Sequence, residues 1–137
     1  MQFNRFWKSY IATFLTLFIG NFLSQGLILQ SHNARYLSGI IKPMSELVFP
    51  ILIFTYLVHA AVLVFLVSKL LSSKSPKNAF LLAGGYGGML LFHANIVNIF
   101  LLPVWPWQVF LTDVFASFVA FGMAGAVGFL LLPKNNG

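Results

Sequence analysis

The chain has 137 residues, 59% hydrophobic and 7% charged, with a formal net charge of +6 from eight Lys and Arg against two acids. Soluble domains carry about 25% charged residues, and disordered chains lack the apolar residues that dominate here, so both classes are excluded. The absence of cysteine removes disulfide frameworks, cysteine-ligated zinc and thiol nucleophiles, and the scattered basic residues form no stripe for nucleic acid. The composition is that of a polytopic membrane protein whose first partner is the lipid bilayer.

A helix that crosses a hydrocarbon core of roughly 30 Å needs about 20 mainly apolar residues. Four stretches meet this, approximately 9–30, 47–68, 78–102 and 108–132. They contain no Lys or Arg, and their one acid is Asp113. The expected architecture is an all-α antiparallel bundle of four transmembrane helices in a single domain, 1–137. The apolar runs are too long for the alternating strands of an outer-membrane barrel.

Arg5 and Lys8 precede span one, which resembles a signal peptide only superficially. Its length exceeds an h-region and no A-x-A-like site follows it, so the expectation is a retained helix. The linker 31–46 holds His32, Asn33, Arg35, Lys42 and Pro43. In span two, Pro50 kinks a helix that starts at Pro43 but is harmless in the first turn of one that starts near Leu47. The linker 69–77 reads KLLSSKSPK, and the last, Pro103-Val104-Trp105-Pro106-Trp107, is so short that spans three and four must form a hairpin. Arg5, Lys8, Lys69, Lys74, Lys77 and Lys134 fall on one side of the membrane, and Arg35 and Lys42 on the other. The basic excess places both termini in the cytoplasm, as expected for a bacterial inner-membrane protein. Trp7 and Tyr10 at one boundary, and Trp105 and Trp107 at the other, match aromatic belts.

Span three carries Gly84, Gly88, Leu91, Asn95, Asn98 and Leu102 on one helical face, and span four carries a ridge of Ala116, Ala120, Ala124 and Gly128. Small residues at such spacing let backbones approach closely, and the expectation is that these two faces pack together. Counted from Trp105, Asn98 and Asp113 lie at nearly the same level, about 8–10 Å inside the boundary. A carboxylate there is costly unless it is partnered, wetted or protonated. Asn98 and Asn95, with Asn21 and Gln25 of span one, are the candidate partners. His59 and His93 lie near the middles of spans two and three, as structural residues or ligands; His93 points away from the Asn95/Asn98 face.

No H-E-x-x-H, G-x-S-x-G, Walker loop or close carboxylate pair is present. GGYGG at 84–88 lies inside an apolar helix, with no Lys-Ser/Thr after it. Neither a metal site nor a cofactor is indicated, and no catalytic residue stands out.

From the hairpin onward the sequence resembles a family of short four-helix bacterial membrane proteins, a domain of unknown function. The family pattern is Asp-Leu-Thr-Asn in helix three, a Trp-Pro pair, then an Asp early in helix four. Here the matching residues are Asn95-Ile96-Val97-Asn98, Trp105-Pro106 and Asp113, without a gap. The run Phe54-Thr55-Tyr56-Leu57-Val58-His59 looks like its aromatic-rich second helix, and length and layout agree over most of the chain. Asn95 stands where the family has an acid, and Asn21 where one is expected in helix one, so a function carried by three acids would keep one here. The resemblance implies fold and topology, since no activity is established for the family.

Three functions compete. The first is a non-catalytic protein acting by association, as an accessory or assembly subunit or a homo-oligomer, for which the small-residue faces, 16 Phe and short loops speak. The second is a small-solute or proton-coupled transporter built on Asp113 and its amide neighbours, and the third an intramembrane enzyme.

Overall fold

The computed structural model describes residues 2–41, 46, 48–71 and 75–132. Among them the chain forms α1 (Gln2–Leu23), a π-helical turn (Ser24–Ile28), α2 (Gln30–Leu37), α3 (Phe49–Leu70), α4 (Pro76–Leu101) and α5 (Trp107–Leu131). Four helices are long and apolar enough to cross a membrane, at Asn4–Ile28, Phe49–Leu70, Pro76–Leu101 and Trp107–Leu131. Lys42, Pro43, Lys74 and Lys134, which entered the expectations for helix start and orientation, lie outside the described residues.

Local chemistry explains the boundaries. Pro50 occupies the first turn of α3, where its missing N–H is no loss. At the start of α4 the Ser75 hydroxyl caps the helix by accepting from the Asn78 amide at 3.1 Å, with Pro76 at the first helical position. The carbonyl of Pro106 accepts the amides of Val109 and Phe110 and starts α5.

The π-helical turn was not anticipated. The amide of Leu29 bonds the carbonyl of Ser24, five residues back, at 2.7 Å, and the chain then continues as α2. Span one was expected to run straight to residue 30 and give way to a loop. A π turn inserts one residue into the helical ladder, and here it re-aims the chain so that the polar α2 folds against the start of α5.

The spanning helices alternate in direction. α1 and α5 are antiparallel: the Ser9 hydroxyl donates to the Gly128 carbonyl at 2.7 Å at one end, and Gln25 reaches Asp113 at the other. α1 buries Ser9, Thr13, Leu17 and Asn21, one residue per turn. α3 turns Tyr56, His59, Ala60, Leu63, Val64 and Val67 inward, while its first turns through Thr55 are exposed. Each spanning helix contributes to the core of Leu17, Leu63, Ala83, Phe121 and Ala124.

The α4–α5 hairpin has the most extensive contact. A Cβ on Gly84 would come within 2.7 Å of the Phe118 carbonyl oxygen, one on Gly87 would collide with the Phe121 ring, and one on Gly125 with the Ala83 methyl. Gly84 and Gly88 therefore pack against α5 as expected, with Gly88 lying over Phe118 and Val114. The alanine ridge does something else. A Cβ added to Gly20 of α1 would lie 3.6 Å from the Ala120 methyl, and Gly128 closes on Thr13 and Ser9 of α1. Ala116 borders the α1–α5 groove, and Ala124 lies in the shared core. The ridge thus seats α1, while α4 meets the neighbouring α5 face of Phe118, Phe121, Gly122 and Gly125.

Candidate functional site

The hairpin sets the depth of the polar residues. Asn95 lies six residues before the end of α4 and Asp113 six residues after the start of α5, so both sit about 9 Å inside their helix ends. The pairs Gly87–Phe121 and Ala83–Gly125 share this register, which centres the hairpin on Val104.

Asp113 is held from two sides. Its Oδ1 accepts from Gln25 Nε2 at 3.2 Å, and its Oδ2 accepts from Asn95 Nδ2 at 3.5 Å. The same Asn95 amide also donates to the Leu91 carbonyl at 2.9 Å. Asn95, 1% exposed, accepts the Trp105 indole N–H at 2.6 Å. On the other flank, Gln25 Oε1 accepts from Asn33 Nδ2 of α2 at 2.7 Å. A continuous chain, Asn33–Gln25–Asp113–Asn95–Trp105, therefore ties α2, the π-helical turn, α5, α4 and the hairpin turn together. The carbonyl oxygen of the Asn33 side chain is buried and has no partner among the described residues.

Of the polar residues singled out in the sequence, Gln25, Asn95 and Asp113 are brought into contact. Asn21 is buried but donates to the Leu17 carbonyl of its own helix at 2.9 Å. Asn98 is half-buried one turn nearer the helix end, and its side chain makes no hydrogen bond among the described residues. His59 Nδ1 shares a hydrogen bond with the Tyr86 hydroxyl at 2.9 Å, with the Phe121 ring 5.7 Å away, which links α3 to α4 and α5. His93 is exposed on the outside of α4.

Three contributors were missed by the sequence reading. Asn33 and Trp105 were assigned to a linker and an aromatic belt, yet both complete the chain. His32, on α2, brings Nε2 to 3.3 Å from the Gln108 carbonyl and 3.4 Å from the Thr112 hydroxyl, docking α2 on α5. The available signal was the polar run Gln30–Asn33 directly after an interrupted helix; its folding back could not be read from composition.

Between α1 and α5 runs an apolar groove of about 690 Å³. Thr16, Gly20, Ala116 and Ala120 lie between walls that include Ile19 and Phe115. Among the described residues no three His, Cys, Asp or Glu are placed to hold a metal ion.

The fold and its partly buried polar chain define a four-helix integral membrane protein whose intramembrane carboxylate is clasped by amides from neighbouring segments. A family model described as "Predicted membrane protein (DUF2177)" matches residues 6–130. The chain belongs to this family of membrane proteins of unknown function. Comparisons with curated proteins and with solved structures each returned no match.

Proposed function

We propose that this chain is a non-catalytic membrane protein that acts by association, as an accessory or assembly subunit of a membrane complex or as a homo-oligomer, in a bacterial inner membrane. The observation that carries the reading is that the polar groups around the intramembrane carboxylate are used on one another. Both Asp113 oxygens accept amide hydrogens from other segments, and those amides are held in turn by Asn33 and Trp105. A half-buried acid held in this way joins helices and makes the bundle a rigid platform. The α1–α5 groove offers its surroundings an apolar face, and the small residues in its lining suit close lateral contact in a bilayer. Extraction into lipid nanodiscs without detergent, followed by identification of stoichiometric partners, tests the reading. A defined complex or oligomer supports it, and a solitary monomer with substrate-driven flux refutes it.

The transport reading is favoured by one observation, the π-helical turn that presents Gln25 to Asp113. Interrupted helices recur at intramembrane ion and substrate sites. Asp113→Asn separates the two readings. The new amide donates where the carboxylate accepted, and rotating the Gln25 and Asn33 amides by half a turn restores acceptors to donors, with the unpartnered Asn33 oxygen taken up by Gln25. Assembly is therefore expected to survive. A proton-coupled flux in reconstituted vesicles would be abolished by the same change, since the amide releases no proton.

A further inference from the structure

The outward face of α4 carries Leu81, Gly85, Met89, Phe92, His93, Ile96 and Phe100, a stripe repeating every three or four residues. The bundle leaves it uncovered, with Met89 73% and Phe100 87% exposed. Two residues on it are out of place against hydrocarbon. His93 lies eight residues from the end of α4, about 12 Å inside, and makes no hydrogen bond among the described residues. Polar side chains at such depth face a protein interior or a partner, because lipid cannot satisfy them. Gly85 is the second. A Cβ there would meet nothing within 4 Å, so the packing that requires Gly84 and Gly87 does not require it. A glycine on the outside of a transmembrane helix weakens the helix unless another backbone comes close.

We propose that this face of α4 is the contact surface of a symmetric homodimer, in which His93 hydrogen-bonds His93 of the partner subunit and Gly85 marks the close approach of the two helices. The inference rests on the association reading and names the partner as a second copy of this chain. Self-recognition follows from the imidazole, which in its neutral form carries one donor and one acceptor and is therefore its own complement. Two copies inserted in the same direction are related by a two-fold axis along the membrane normal, which brings the two histidines to the same depth. A foreign helix would have to supply a polar group at that level; a second copy does so by symmetry. The stripe from Leu81 to Phe100 is about 28 Å long, nearly the thickness of the hydrocarbon core.

The absence of native cysteine makes the test clean. Met89→Cys and Ile96→Cys, each alone, are oxidised in native membranes, beside Val119→Cys on the groove and Phe54→Cys on α3. Disulfide-linked homodimers are expected from the two α4 positions and not from the others. In the Met89→Cys background, His93→Leu and Gly85→Leu should each lower cross-linking about tenfold, whereas His93→Gln, which keeps a donor and an acceptor, should retain it. All three changes point outward, and the retained fold can be checked by the far-UV spectrum and thermal melt. Cross-linking insensitive to His93→Leu, or through another face, overturns the proposal. Cross-links only to a different protein overturn it and leave the association reading standing, while a monomer with no partner overturns both.

Discussion

Gly125→Ala probes the seam on which the hairpin register depends. The added methyl would collide with the Ala83 Cβ and come within 3.0 Å of the Ala79 carbonyl oxygen. Neither atom can rotate away, since one is fixed to its own backbone and the other belongs to the backbone. Overpacking costs about 1–3 kcal/mol, and this rigid site belongs at the upper end, near about 3 kcal/mol. Replacing a helical glycine by alanine returns about 1 kcal/mol. The net loss is then about 2 kcal/mol, roughly a 30-fold shift in the unfolding equilibrium. Unfolding in mixed micelles followed by tryptophan fluorescence measures it, with Gly88→Ala in the same hairpin as control because a Cβ there would come no nearer than 3.7 Å to any neighbour. Adding Ala83→Gly to Gly125→Ala should recover about half the loss or more, as coupled neighbours do. Equal stability of Gly125→Ala and Gly88→Ala would refute the rigid clash at the seam.

Ala120→Leu should wedge α1 from α5, because the buried Ala120 methyl faces Gly20 of α1; a loss of about 1–3 kcal/mol is expected in the same assay, and no loss would contradict this seating of α1. Trp105→Phe removes the indole N–H that Asn95 Oδ1 accepts at 2.6 Å and leaves a buried acceptor bare, for a loss of about 1–3 kcal/mol; unchanged stability would show that the turn does not anchor the clasp. For orientation, Lys77→Cys, in the first turn of α4, should resist an impermeant reagent applied to intact cells and react after permeabilisation. Labelling from outside would reverse the cytoplasmic assignment of the termini.

Hydropathy and chain length alone are enough for one part of this structure. Four spans, a tight final hairpin and a lone intramembrane acid follow from where apolar runs begin and end, because lipid leaves a backbone no other choice than to satisfy its own hydrogen bonds. Periodicity identified the small-residue ridge of Ala116, Ala120, Ala124 and Gly128, but a period names a face and not the neighbour that covers it. Only the packing showed that the ridge seats α1 while the adjacent face meets α4. The partner of Asp113 was decided in the same way. Counting at a uniform helical rise from Trp105 put Asn98 level with the carboxylate and left Asn95, Asn21 and Gln25 as further candidates, whereas the non-helical residues between Leu101 and Trp107 centre the hairpin on Val104 and bring Asn95 to it, with Gln25 from the π-helical turn. The π-helical turn lay in plain view as Ser24-Gln25-Gly26, yet those residues are compatible with an ordinary helix. What selects the extra residue is the tertiary gain, since the turn lets α2 fold back so that Asn33 holds the Gln25 side chain that reaches Asp113. Burial and span were local properties of the chain; which polar group meets which depended on register between helices, and register exists only once they are packed.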